Sequence, residues 1–176
     1  MNTQAFELFF SLLTLVTLVA TLSVIAIRLV GADSDVGRSM LGSLAAHRMA
    51  ICAAITGTSM LGSLYFSEVA DFVPCTLCWY QRIAMYSLAI ITSIAAIRKD
   101  DIRVYVIALA SIGAVISAYH WLLERFPGID AGVCSTAVPC DLVWFEKVGF
   151  VTLPFMALTA FCAVLVVVTL PSRSDT

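Results

Sequence analysis

Charged residues in this chain come in small clusters, and long stretches between the clusters contain none. Leu8 to Ile27, Met49 to Ser67, Val104 to Leu123 and Val148 to Ser172 hold no Asp, Glu, Lys or Arg. A helix rises about 1.5 Å per residue and needs roughly 20 apolar residues to cross bilayer hydrocarbon. Each of these runs therefore predicts a membrane span. A fifth run, Ile83 to Ile97, is shorter and reaches spanning length only if its helix begins near Trp79. The aromatic pair Trp79 and Tyr80 suits a headgroup boundary. The pattern predicts an all-α membrane protein of five spans. The first run reads as a retained helix and not a signal peptide, because Met1 to Glu7 lacks the basic start of a signal sequence.

Composition narrows the class. Of 176 residues, 61% are hydrophobic and 12% charged, and the mean hydropathy is +0.99. A soluble domain carries about a quarter charged residues, so the solvent for this chain is a bilayer. Little sequence is left between the runs, which leaves room for one membrane domain and no separate soluble one. The net charge of −2 gives no basic excess to attract nucleic acid. Basic residues in short loops set orientation. Arg28, Arg38, Arg48, Arg98, Lys99, Arg103 and Arg173 fall on one side, and Arg82, Arg125 and Lys147 on the other. The richer side is expected to be cytoplasmic, with the N-terminus outside and the C-terminus inside.

Chemistry enters with the cysteines. Cys52 and Cys162 lie inside uncharged runs and read as small apolar packing residues. Cys75, Cys78, Cys134 and Cys140 all fall in loops or helix starts on the extracytoplasmic side, where disulfides persist. Four cysteines allow three pairings, and spacing favours Cys75 with Cys78 and Cys134 with Cys140. A Cys-x-x-Cys pair makes a short, oxidising disulfide with acidic thiols. Cys78 is expected at or near the start of the third span, where free amides and the helix dipole favour a thiolate. Trp79 in place of His rules out c-type haem attachment. A structural zinc is disfavoured because the second pair is too widely spaced for a knuckle. Inert disulfides are disfavoured because so short a loop constrains little unfolded chain.

Other residues frame this pair. Arg82 follows Cys78 by one helical turn, so it stands over the same face, at a depth where a cation usually has a use. His120 sits near the outer end of the fourth span, either to move protons or to cap a Tyr-His-Trp cluster, while His47 reads as interfacial. The loop from Glu124 to Lys147 holds Pro127-Gly128, Gly132 and Pro139, which favour turns and mobility. Within it, Asp141 to Lys147 is expected to form a short surface helix around Leu142, Trp144 and Phe145. Ala54, Thr58 and Gly62 recur at four-residue spacing, as in close helix packing.

At these residues a family resemblance emerges. Ser63-Leu64-Tyr65-Phe66-Ser67-Glu68 and Pro74-Cys75-Thr76-Leu77-Cys78-Trp79-Tyr80-Gln81-Arg82 resemble the signature of BdbC-type members of the DsbB/BdbC family. Ala118-Tyr119-His120, the Cys134 to Cys140 loop and Gly149-Phe150-Val151-Thr152-Leu153-Pro154-Phe155 continue the likeness. It covers roughly residues 45–170. The resemblance implies a DsbB-like four-helix catalytic domain over 45–170, with residues 1–30 an additional N-terminal transmembrane helix. It further implies a bacterial plasma-membrane enzyme that reoxidises an extracytoplasmic thioredoxin-like thiol oxidase of DsbA/BdbD type and passes electrons to a membrane quinone, ubiquinone or menaquinone. Neither metal nor flavin is required.

The roles it implies are specific. A partner thiolate attacks Cys134, Cys140 then attacks Cys75, and Cys78 meets the quinone. Arg82 and His120 are the implied quinone-side residues, with Arg82 holding the developing anion. Two departures stand out: the extra first helix, and a loop pair spaced as in BdbC types and closer than in DsbB itself. A vitamin-K-epoxide-reductase-like enzyme is the nearest alternative, but there the loop pair precedes the helix pair in sequence. A non-enzymatic membrane protein stiffened by disulfides is the other.

Overall fold

The computed structural model describes residues 3–31, 34–130, 132–135 and 137–171. Met1, Ser172 and Arg173, on which parts of the span and charge reading rest, lie outside the described residues. The chain forms helices α1 (Thr3–Val30), α2 (Asp35–Ala46), α3 (Arg48–Glu68), α4 (Thr76–Arg98) and α5 (Arg103–Arg125). One turn of 3-10 helix (Pro127–Ile129) and α6 (Leu153–Val168) follow. Among the described residues there is no strand, and an isolated backbone bridge joins Lys147 to Val151.

α1, α3, α4 and α5 are long and apolar enough to cross a membrane. α6 is shorter than the run that predicted it. Its 16 residues extend about 24 Å against roughly 30 Å of hydrocarbon. The cause lies before its start. Val148 and Gly149 take positive φ values of 57° and 78°, which reverse the chain and bring Val151 back onto Lys147. Thr152 is then extended, and Pro154 in the first turn lacks only an amide that a helix start leaves free.

A second difference is α2, where only a loop was expected. Ser34 caps it, its hydroxyl oxygen accepting the Gly37 N–H at 3.0 Å. Leu41, Leu44 and Ala45 have the spacing of one apolar face, and they pack on Leu170, Val24 and Ile27. The short pattern, broken by Arg38, hides among the polar residues of the connection.

α3, α4, α5 and α6 make a bundle, and α1 lies against α6 on its outside. The core joins Cys52 of α3, Leu88 of α4, Val106 and Ala110 of α5, and Phe161 and Val164 of α6. The hydroxyls of Thr56 and Thr92 meet at 3.2 Å between α3 and α4, both fully buried. Hydroxyls on α1 bond the carbonyl one turn back (Ser11, Thr14, Thr17 and Thr21), so an apolar medium leaves them satisfied. Val16, Leu22, Ile83, Ile97, Val104 and Val115 are each more than half exposed. Apolar exteriors on successive helices require lipid around them, and the chain is a multi-pass membrane protein.

Candidate functional site: two cysteine pairs and an apolar cavity

The site sits at the end of the bundle where α4 begins. Cys75 is the N-cap of α4, with extended backbone, and its sulfur accepts the Cys78 N–H at 3.3 Å. Helix-start stabilisation, expected at Cys78, falls instead to Cys75. The reason is position: a cap side chain faces the free amides, while Cys78 lies within the first turn. The two sulfurs are 2.9 Å apart and unbonded. A hydrogen bond from the Cys78 thiol pulls the Cys75 thiol below its ordinary range. Burial works against this, and His120 and the Cys78 amide add to the lowering.

His120 is buried on α5 and joins both cysteine pairs. Its Nε2 lies 3.6 Å from Cys75 Sγ and 3.0 Å from the carbonyl oxygen of Cys140. Its Nδ1 is 2.8 Å from the Gln81 side-chain amide, and Gln81 is itself buried. The Tyr-His-Trp cluster is therefore not what holds His120. Gln81 was not among the expected site residues, although an amide on an apolar helix beside Arg82 is the signal that marks it. Cys75, Cys78 and His120 bring three soft donor atoms within 4.8 Å of one another, so a cation could meet a sulfur, sulfur and nitrogen set. Cys134 and Cys140, bonded to each other, add no thiolate to it.

The loop pair is docked against this cluster. Cys134 and Cys140 form a disulfide, with Cys140 buried and packed alongside Cys75, Leu77 and Leu123. The expected surface helix at 141–147 does not form. Trp144 stacks on Phe72 at 4.8 Å while Phe145 packs on Phe66 at 5.4 Å. Neighbouring side chains that both turn to aromatic partners hold the segment in irregular backbone. Arg125–Glu146 and Lys147–Glu7 ion pairs, at 2.9 Å and 3.0 Å, fasten its far end.

On the other flank of Cys78 a cavity of about 340 Å³ opens between α1, α3, α4 and α6, a size common for small-ligand sites. Cys78, Gln81 and Arg82 form its polar end. Arg82 donates to the Ser63 carbonyl at 3.0 Å and lies 5.5 Å over the Trp79 ring. Those contacts hold the guanidinium in the wall and away from a free excursion to lipid headgroups. His120 does not line this cavity; it lines a small void with Cys75, Cys78 and Glu124. The two residues expected on the quinone side thus flank the helix pair from different directions.

The remaining cysteines and His47 line neither the cavity nor the small void beside Cys75. Cys52 is fully buried in the core, as packing requires, whereas Cys162 is exposed on α6. His47 ends α2, with Nδ1 3.0 Å from the Ser43 carbonyl oxygen.

Comparison with known proteins adds the family. Residues 45–171 match the family model of the disulfide bond formation protein DsbB. The chain is 47% identical over 111 residues to disulfide bond formation protein C of Bacillus subtilis, covering 61% of this chain and 80% of that protein. It is 43% identical over 111 residues to the probable disulfide formation protein C of Halalkalibacterium halodurans, covering 62% and 81%. A probable disulfide formation protein of Oceanobacillus iheyensis is 41% identical over 111 residues, covering 61% and 77%. No solved structure matches the chain.

Proposed function

This chain belongs to the family of the disulfide bond formation protein DsbB, and we propose that it is a thiol:quinone oxidoreductase that generates disulfides for an extracytoplasmic partner. One observation carries the reading. A loop disulfide lies packed on Cys75, and Cys78, the partner of Cys75, lines an apolar cavity together with Arg82. Two dithiol–disulfide couples and a place for an apolar oxidant therefore stand in series. Nothing in that series requires a metal or a flavin.

The exchange steps balance as follows. A thiolate of the partner dithiol attacks Cys134 and displaces Cys140 as a thiolate. Cys140 attacks Cys75 and displaces Cys78 as a thiolate. The second partner thiol then releases Cys134 and leaves the partner oxidised. Cys134 attacks Cys140, which restores the loop disulfide and frees Cys75. The helix pair is now a dithiol. Its oxidation back to a disulfide sends two electrons and two protons to the quinone, which leaves as quinol.

The residues divide this work. Cys75, stabilised as a thiolate by Cys78, His120 and a helix amide, leaves readily when Cys134 attacks Cys140. While Cys75 is bonded to Cys140 its sulfur is no longer an anion and no longer repels a charge on Cys78 at the cavity wall. Arg82 offers a fixed cation to a quinone oxygen as negative charge grows there. Its planar fork suits that oxygen better than an ammonium would. His120 reaches the Cys75 sulfur and the Cys140 carbonyl, and in this reading it takes the proton that the Cys75 thiol gives up.

The order of exchange is testable by trapping. With Cys140→Ala, the partner is expected to accumulate in a mixed disulfide with Cys134, resolved by non-reducing electrophoresis and peptide mapping. A trapped adduct on Cys75 would reverse the assigned order.

A further inference from the structure

Three features of the cavity are left over after the reaction is assigned. It is larger than the corner around Cys78 and Arg82 needs. The small residues Ala54, Thr58 and Gly62, expected to pack a helix tightly, line it. Its opposite wall is built by α1 through Phe10, Leu13 and Thr17, although α1 lies wholly outside residues 45–171.

We propose that α1 completes a slot for the prenyl tail of the quinone, so that this added helix, through Leu13, Thr14 and Thr17, sets the preference for tailed over tail-less acceptors. The inference rests on the quinone reading above and adds an occupant for the part of the cavity beyond the ring.

Dimensions and surface chemistry support that occupant. From Gly62, next to the Ser63 carbonyl that Arg82 bonds, to Ala54 the slot floor runs about 12 Å along α3, leading away from the cavity's polar end. α1 presents its lining residues at three- and four-residue spacing, which is one face of a helix. The Thr14 and Thr17 hydroxyls donate to carbonyls of their own helix at 2.8 Å, so they show methyl groups and not open donors to the slot. A flexible hydrocarbon chain is complementary to such walls, and a polar ligand is not. Close approach at one end keeps the slot defined. A Cβ on Gly62 would lie 2.6 Å from the Phe10 ring, so glycine lets Phe10 seat against α3 at the polar end, where the slot begins. α1 is also fixed at both ends, by Glu7 to Lys147 at 3.0 Å and by Arg28 to Thr169 at 3.2 Å. A wall anchored in this way can select by shape.

The test uses the full chain with matched quinones, a naphthoquinone and a benzoquinone, each with a prenyl side chain or with a methyl in its place. Thr17→Trp, which fills the slot, is expected to raise KM for the prenylated form about tenfold, roughly one decade of binding, and to leave the methyl form unchanged. Val16→Trp, on the exposed face of α1, should change neither. Equal effects on both forms, or none, would overturn the inference. A second measurement covers a variant that does not fold: a photoreactive group on the prenyl tail should label α1 of the unaltered chain. Labelling confined to other helices counts against the slot, as does an acyl-chain lipid probe on α1 that prenylated quinone cannot displace. If the unaltered chain reduces no quinone of either form, the oxidoreductase reading itself fails, and that result is distinct from a failed slot.

Discussion

At the scale of single residues, the site turns on which sulfur of the helix pair holds the charge. Cys75 accepts a hydrogen bond from the Cys78 thiol, another from the Cys78 amide, and sits 3.6 Å from His120. All three favour the anion and together outweigh burial, so its thiol titrates below the ordinary value. The sign follows. Cys75 is a thiolate above its lowered pKa, and reactivity is lost only as pH falls through that value. In the fully reduced protein, alkylation of Cys75 followed by mass spectrometry should therefore have its midpoint well below that of a free thiol. His120→Ala should move the midpoint upward. A midpoint at the ordinary thiol value in the unaltered chain would contradict the assignment. The four cysteines and Arg82 of the candidate site were legible because cysteine spacing and an intramembrane cation are rare signals. Gln81 and the cap role of Cys75 were not, since they depend on where helix α4 starts to within one residue, and sequence patterns leave that boundary open.

At the scale of elements, the bundle depends on a few close approaches between helices. α5 and α6 meet where Phe161 lies against Gly113, and a Cβ at Gly113 would overlap the Phe161 ring. Phe161 is fully buried, so it has no free direction in which to yield. Gly113→Ala is expected to destabilise the protein by about 1–3 kcal/mol, the usual range for overpacking a filled core, read as a lower thermal midpoint in detergent. Gly57→Ala, where a Cβ meets nothing within 4 Å, should leave it unchanged. Equal midpoints for the two variants would show that this contact does not order the bundle. Long uncharged runs revealed α1, α3 and α5, and the shorter run from Ile83 to Ile97 revealed α4, because a hydrocarbon solvent punishes every charge inside a span. They overstated α6, because Val148 to Thr152 is apolar but spends its length on a turn. They missed α2, whose apolar face is too short to rise above the polar connection around it.

At the scale of the whole molecule, the two ends differ in kind. Both cysteine pairs, His120 and the Glu7–Lys147 pair share one end, while Arg28 and Arg48 meet Thr169 and Leu170 at the other. The proposed orientation, with the basic end inside the cell, predicts that an impermeant thiol reagent applied to intact, reduced cells labels Cys134. Labelling only after lysis would invert the orientation. The central claim is that electrons cross the molecule from a thiol partner, through two cysteine pairs, to a quinone. Purified full-length protein, supplied with a reduced thioredoxin-like dithiol and a quinone, tests it by simultaneous assay of thiols lost and quinol formed. The account predicts two thiols oxidised per quinol, abolished by Cys78→Ala. Quinol formation that survives Cys78→Ala, or thiol loss with no quinol formed, would contradict it.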